Sequence, residues 1–358
     1  MAGDALPAWL RPFTWSDVLL TWVRGLSGGR VPYWDSYFEY PPLIGYASGL
    51  FSIATPTAFA YVAMWAVVQI AVGAAIALVL VRAGAGRRAW AWALAPELAL
   101  FGPMNFDLLA ILAVVLAVYG ERLNAPLRSV TALALGTAAK LFPAAALPVV
   151  VLRRWSRDRG TAALASALFG ALLAACYAPA AAAPFSSLES VGRYSVGVVA
   201  NFDSIWGAIA GVLDGVGMPS VAPILVVTTV GLAATYVFGV LPLARTARDP
   251  AVPIALAVLS VLLWSRLYSP QYSLWVLPFF ALLPLRRRVF ALLVSADVGV
   301  FFTVYPLTLT QRPTGDALGA MLLALLTVAI VVRHAALVVW WIEVRRLAAP
   351  PTGSPLRG

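Results

Sequence analysis

The sequence predicts an all-α polytopic membrane protein, a bundle of about 11 transmembrane segments. Three observations carry that prediction. Of 358 residues, 62% are apolar and only 11% charged, against about 25% charged in a soluble domain. Apolar runs recur along nearly the whole chain and leave no soluble domain of useful size between them. Arginines gather at the ends of these runs, at Arg82/Arg87/Arg88, Arg122/Arg128, Arg153/Arg154/Arg157/Arg159, Arg245/Arg248, Arg286/Arg287/Arg288 and Arg345/Arg346. This positive-inside pattern makes those loops cytoplasmic and accounts for a net charge of +10 without nucleic acid as a partner.

The elements follow in order. Residues 1–56 form an extracytoplasmic N-terminal segment and first loop, 57–347 the transmembrane bundle, and 348–358 a cytoplasmic tail. Residues 1–16 hold no spanning run, yet parity places them outside. Either a further apolar helix precedes residue 1 or the short N-terminus crosses unaided; we expect the first. Crossings are expected near 57–82, 89–101, 105–119, 129–141, 142–152, 160–183, 219–243, 251–266, 271–285, 289–306 and 317–343. Several are shorter than the roughly 20 residues of a straight crossing. The pairs 89–119 and 129–152 therefore read as hairpins broken near Pro103 and Pro143. Irregular backbone at membrane depth is tolerated where protein or a watery cavity surrounds it.

The opposite-side segments hold Asp4, Asp17, Asp35, Glu39, Asp107, Glu189, Asp203, Asp214 and Asp316, with six arginines, among them Arg24, Arg193 and Arg266. Topology explains the basic face but not these acids, so function is expected on the acidic face. Its densest stretch is WDSYFEYPPL at 34–43, where Asp35 and Glu39 sit among Trp34, Tyr37, Phe38 and Tyr40. Carboxylates beside aromatics suit proton abstraction and sugar stacking. Asp17 lies upstream on the amphipathic stretch TWSDVLLTWVRGL. No phosphate loop of the nucleotide-binding kinds is present. One cysteine, Cys176, excludes an internal disulfide and a cysteine metal site. No cofactor is expected. A metal site has only the carboxylates Asp17, Asp35 and Glu39 behind it, and a divalent ion stays open. The Ala-, Arg- and Gly-rich bias with a single lysine points to a bacterial genome rich in G and C.

The elements SDV at 16–18, PYWDSYFEYPPL at 32–43, MNFDLLA at 104–110, KLFPAAALP at 140–148 and YSPQYSLWVLP at 268–278 add a resemblance. Their order and spacing resemble the GT-C superfamily of glycosyltransferases, nearest to glycosyltransferase family 87, the bacterial polyprenyl-phosphate-mannose-dependent α-mannosyltransferases. The likeness runs from Asp17 to about Pro284, and EYPPL and SPQY with a following Trp-x-x-Pro are its most specific parts. It implies a GT-C-like bundle in the bacterial plasma membrane with its site on the extracytoplasmic face. It further implies an inverting transferase, moving a sugar, mannose by likeness, from a polyprenyl-phosphate donor to a lipid-linked or cell-envelope glycan acceptor.

The family places its catalytic aspartate in the first outer loop, after a first transmembrane helix; here the matching residue is Asp17. As general base it would take the acceptor hydroxyl's proton while the lipid phosphate leaves. Asp17 also reads as a helix cap, and Asp35 and Glu39 are rival bases. Lys140, the only lysine, lies in an apolar hairpin; with no acid near it in sequence, a donor phosphate is its expected partner, and snorkelling the alternative. Arg266 and, more weakly, Arg193 are further phosphate candidates. Asn105 and Asp107 either bind sugar hydroxyls or terminate helices. Tyr268, Gln271 and Tyr272 either contact sugar or form an interfacial belt. Glu97 and Asp297 lie in apolar runs without an assigned role, and His334 reads as structural. A transporter or flippase of a polyprenyl-linked intermediate is the alternative function. It predicts two similar halves, whereas EYPPL has no counterpart in the second half.

Overall fold

Ser16 opens the described chain as a helix cap. Its Oγ accepts from Leu19 N at 3.3 Å, which starts α1 (Asp17–Thr21) and the widened turn Trp22–Leu26 that continues it. This computed structural model describes residues 16–189, 192, 200–309 and 316–348. Residues 1–15 and the tail from 349, both assigned to terminal segments from the sequence, lie outside the described residues.

The described elements are helical, apart from one isolated bridge between Pro32 and Ser36. Helix α2 (Pro42–Ala54) starts at the Pro41-Pro42 pair, where the pre-set proline φ suits a first turn. Thr57 caps α3 (Ala58–Leu80), accepting from Ala60 N at 3.2 Å. The helical run continues to α4 (Trp90–Ala93) through a bend at Gly84, whose φ of 91° glycine supplies without strain. Then come α5 (Pro96–Phe101), α6 (Asp107–Arg122) and α7 (Pro126–Ala139). The α6–α7 turn uses Asn124 at φ 59°, a left-handed position asparagine tolerates, before Pro126 starts the next helix. A tight turn over Phe142–Ala146 leads into α8 (Leu147–Trp155), followed by α9 (Arg159–Ala181) and α10 (Ile205–Gly215). Next are α11 (Val221–Ala234) and α12 (Leu241–Thr246), joined by a widened turn, and then α13 (Ala251–Trp264). A second tight turn, Pro270–Trp275, precedes α14 (Leu277–Leu282), α15 (Arg287–Leu309) and α16 (Ala317–Arg346).

Among the described residues, five helical runs are long and apolar enough to cross a membrane: Ala58–Ala93, Arg159–Ala181, Val221–Thr246, Arg287–Thr308 and Ala317–Arg346. The chain is thus an all-α, membrane-embedded protein. Its outer surface agrees: Phe59, Ile70 and Phe238 are 84%, 73% and 75% exposed, as in helices that are apolar all round and face lipid. The other expected segments are shorter helices. Both expected breaks are present, at 102–106 and at Lys140–Leu141. The core is built around α13, buried on nearly every face, with α16, the Phe142–Ala146 turn, α11 and the widened turn after it packed against it. Gly136 lets α7 approach α6, since a Cβ there would collide with that of Ala113.

The arginine clusters do more than mark a side. Arg122 pairs with Asp249 at 2.6 Å, Arg153 donates to Ala247 O at 2.8 Å, and Arg286 meets Glu343 at 3.1 Å. Glu121 lies 3.7 Å from Arg153 and 3.9 Å from Arg154. One end of the bundle is therefore stapled by ion pairs as well as being basic.

Candidate functional site

Helix α6 carries the other end. Its 16 residues place Asp107 roughly 22 Å from Arg122. A cavity of about 780 Å³ opens there, and Asp17, Glu39, Asn105, Lys140, Gln271 and Tyr272 all line it. Six residues singled out from the sequence thus converge from five separate stretches of chain.

Asp17 is held from both sides. Its N–H donates to Met104 O at 2.9 Å. Its carboxylate accepts from the Asn105 side-chain amide. Ser16 takes the capping role, which leaves the Asp17 carboxylate to the cavity. Asn105 is itself fixed: its Oδ1 accepts from Phe106 N at 2.6 Å, and its carbonyl accepts from Gln69. Asn105 therefore aims its amide at the Asp17 carboxylate from the cavity wall, a positioning role beside the sugar contact or helix end expected of it.

The WDSYFEYPP segment is a folded loop, and its two acids separate. Asp35 is exposed and accepts from Val31 N at 2.8 Å, closing the turn; it does not line the cavity. Tyr33 turns inward at φ 69°, fully buried, and its hydroxyl donates to Tyr40 O. This anchors the following corner and sets Glu39 and Tyr40 on the cavity wall. Burial pushes the Glu39 carboxyl above the usual carboxylate range, and the negative charge of Asp17 adds to the rise; Arg24 and Lys140 oppose it. Of the two rival bases in this loop, only Glu39 shares the cavity with Asp17.

Lys140 corrects an expectation. The sequence shows no acid near it, but Asp107, 33 residues earlier, lies 3.0 Å from its ammonium. Helix α7 ends at Lys140 and α6 begins at Asp107, so the closely packed antiparallel pair brings these termini together. Asp107 also accepts from Trp275 Nε1 at 2.6 Å. It is 1% exposed and stays off the cavity wall, so it braces Lys140 and Trp275 rather than meeting a sugar. The ammonium lies over Tyr272 and Tyr40, 4.9 and 5.6 Å from their ring centres.

The Pro270–Trp275 turn has three residues per turn, so positions i and i+3 eclipse. That puts Tyr272 on Trp275, at 4.0 Å between centres and 25° between planes, and Phe142 stacks on Trp275 at 4.0 Å and 8°. The three rings form one stacked platform at the cavity wall, with Trp275 sandwiched between Phe142 and Tyr272. Tyr268 lies behind it: 4% exposed, bonded to Ser273 at 2.7 Å and covered by Arg333 at 4.2 Å. It is neither a cavity residue nor part of an interfacial belt. Arg266 does not line the cavity either; its carbonyl accepts from Asn201 N at 2.9 Å. Arg193 lies outside the described residues.

Sequence reasoning missed the second half of the site. Phe202, Asp203, Tyr305 and Arg24 all line the cavity. Burial raises the Asp203 carboxyl to about 6, against a pull downward from Arg333. Arg333 is 2% exposed, donates to the Asp203 carbonyl and lies 3.9 Å from Asp297. Asp297 in turn accepts from Ser273 at 2.7 Å. This gives Asp297 the structural role the sequence left blank, while Glu97 is fully buried without a hydrogen-bond partner among the described residues. An arginine in the middle of the last apolar run was the available signal. His334 packs edge-on to Trp206 at 6.4 Å. Among the described residues no group of three or more His, Cys, Asp and Glu could hold a metal ion. No family model matches the chain, and no curated protein matches it.

Proposed function

We propose that this protein is a glycosyltransferase of the GT-C kind, moving a sugar from a polyprenyl-phosphate donor to a lipid-linked or glycan acceptor with inversion. The observation that carries the reading is Asp17, oriented by Asn105 on the wall of a cavity that also holds Glu39 and the Tyr272–Trp275–Phe142 platform. A pocket of about 780 Å³ is within the usual range for a small-molecule site. In the proposed reaction the acceptor oxygen attacks the anomeric carbon as the carbon–oxygen bond to the lipid phosphate breaks, and the phosphate leaves with the electron pair. The Asp17 carboxylate takes the acceptor's proton. Aromatic faces hold the sugar ring while its hydroxyls meet Gln271 and Glu39.

In this reading the short helices complete about 11 crossings with the five long ones. The arginine-stapled end faces the bacterial cytoplasm and the cavity faces outside. Mannose is proposed from the motif likeness alone.

A second reading, a flippase for a polyprenyl-linked intermediate, draws on the Asp297–Arg333 pair inside two long spans. One experiment separates them. Protein in liposomes is given labelled polyprenyl-phosphate-mannose and acceptor lipids from bacterial membranes. Transfer predicts label in a new product; label that merely changes leaflet sinks the transferase reading.

A further inference from the structure

Two cations line the cavity among the described residues, Lys140 and Arg24, and they differ in commitment. Lys140 is 3.0 Å from Asp107 and covered by two tyrosine rings, so much of its charge is already answered. Arg24 is exposed and has neither ion pair nor hydrogen bond among the described residues. Asp17, Leu20 and Arg24 line the cavity from one helical stretch, the last of them on its widened turn. Seven residues separate the carboxylate from the guanidinium, a rise of roughly 10 Å.

We propose that Arg24, not Lys140, is the primary anion anchor of this cavity, binding the phosphate monoester of a prenyl lipid. The inference rests on the lipid-phosphate reading above and deepens it. Its first ground is charge. The inner cavity carries Asp17, Glu39 and Asp203 on its walls, with Asp107 behind Lys140. A phosphate at Lys140 must share the ammonium with Asp107. At Arg24 it meets a guanidinium with no ion pair or hydrogen bond among the described residues, whose planar fork matches two phosphate oxygens.

The second ground is reach. In an inverting transfer the base and the leaving phosphate stand on opposite sides of the anomeric carbon. One sugar-sized gap must therefore separate the base from the phosphate's counter-ion. Asp17 and Arg24 stand apart by a backbone rise of that order on one helical stretch. Lys140 is left with a different task, which is to hold Asp107 and the aromatic platform in place.

The test measures binding apart from transfer. Radiolabelled farnesyl phosphate is titrated onto the nanodisc-held protein, with empty nanodiscs subtracted and farnesol as the uncharged control. Wild type should bind the phosphate and not the alcohol, and binding should weaken with added salt. Arg24→Gln should weaken it by about 10- to 100-fold, the loss of a charged hydrogen bond. Arg24→Lys keeps charge without the fork and should weaken it less. Glu39→Gln should tighten it, because it removes a negative charge close enough to Arg24 to be felt. A folding defect would move all three variants the same way. Undiminished binding by Arg24→Gln overturns the inference and leaves the lipid-phosphate reading standing. No binding of farnesyl phosphate by wild type overturns both.

Discussion

Replacing Lys140 by Met tests the account of the site most directly, because the structure changes what the substitution should do. Methionine keeps the length and apolar stem but removes the ammonium. Asp107 would then keep one hydrogen bond, from Trp275, on a side chain that is only 2% exposed. At 3.0 Å the lost attraction is on the order of 5 kcal/mol at an effective dielectric constant near 20. Orphaning one partner of a buried pair typically costs about 3–5 kcal/mol, so Lys140→Met should destabilise the folded protein by that amount. Asp107→Asn should cost less, since Lys140 is 12% exposed and retains its tyrosine neighbours. The double variant should recover most of the loss, because it leaves no unpaired charge. Reversible unfolding of the purified protein, followed by near-ultraviolet circular dichroism, reads these differences in a double-mutant cycle. Were Lys140→Met within about 1 kcal/mol of wild type, or the double variant no better than the single, the ion pair would not brace the site. Lys140 would then return as a candidate phosphate ligand.

Other outcomes follow from the same geometry. Asp17→Asn keeps shape and can still pair with Asn105, but cannot accept a proton; transfer should fall about 10²–10⁴-fold, and near-normal transfer would exclude Asp17 as base. Asp35→Asn, at a turn outside the cavity, should leave transfer within a few-fold of wild type. Because the charge of Asp17 helps raise Glu39, Asp17→Asn should move the Glu39 titration to lower pH, seen by isotope-edited infrared spectroscopy; an upward move would contradict the proximity. Asp203 is raised from 3.8 to about 6, so between these values the folded state holds more protons than the unfolded and stability falls as pH rises. Asp203→Asn should therefore raise the melting temperature at pH above 6 more than at pH near 4, the full shift being worth roughly 3 kcal/mol. An equal effect at both pH values would rule out a buried, charged Asp203.

The class of protein was legible in the sequence because the bilayer is a one-dimensional solvent. Runs of apolar residues, and arginines at their ends, report on depth without reference to any partner. Expected spans such as 160–183 and 317–343 accordingly match helices Arg159–Ala181 and Ala317–Arg346 to within a few residues. The breaks near Pro103 and Pro143 were also visible, since proline acts locally; the helix pair that packs across the 123–125 turn was not. Asp17 and Glu39 stood out as acids beside apolar helices, whereas Gln271 and Tyr272 were singled out through the motif resemblance.

Pairing was not legible, because it depends on which helix ends meet. Lys140 found Asp107 across a helical hairpin closed down at Gly136, a contact 33 residues apart. Asn105 reached Asp17 across 88 residues, and Arg333 reached Asp203 across 130. Two acids four residues apart in one motif, Asp35 and Glu39, went to opposite sides of a loop because Tyr33 turns inward at a positive φ. Sequence alone determined that this chain lives in a membrane, with a basic end and an acidic end. Only the tertiary structure decided which acids share a cavity and which cation is already spent. A charge's partner is set by distance in space, and in a bundle of antiparallel helices neighbours in space are rarely neighbours in sequence.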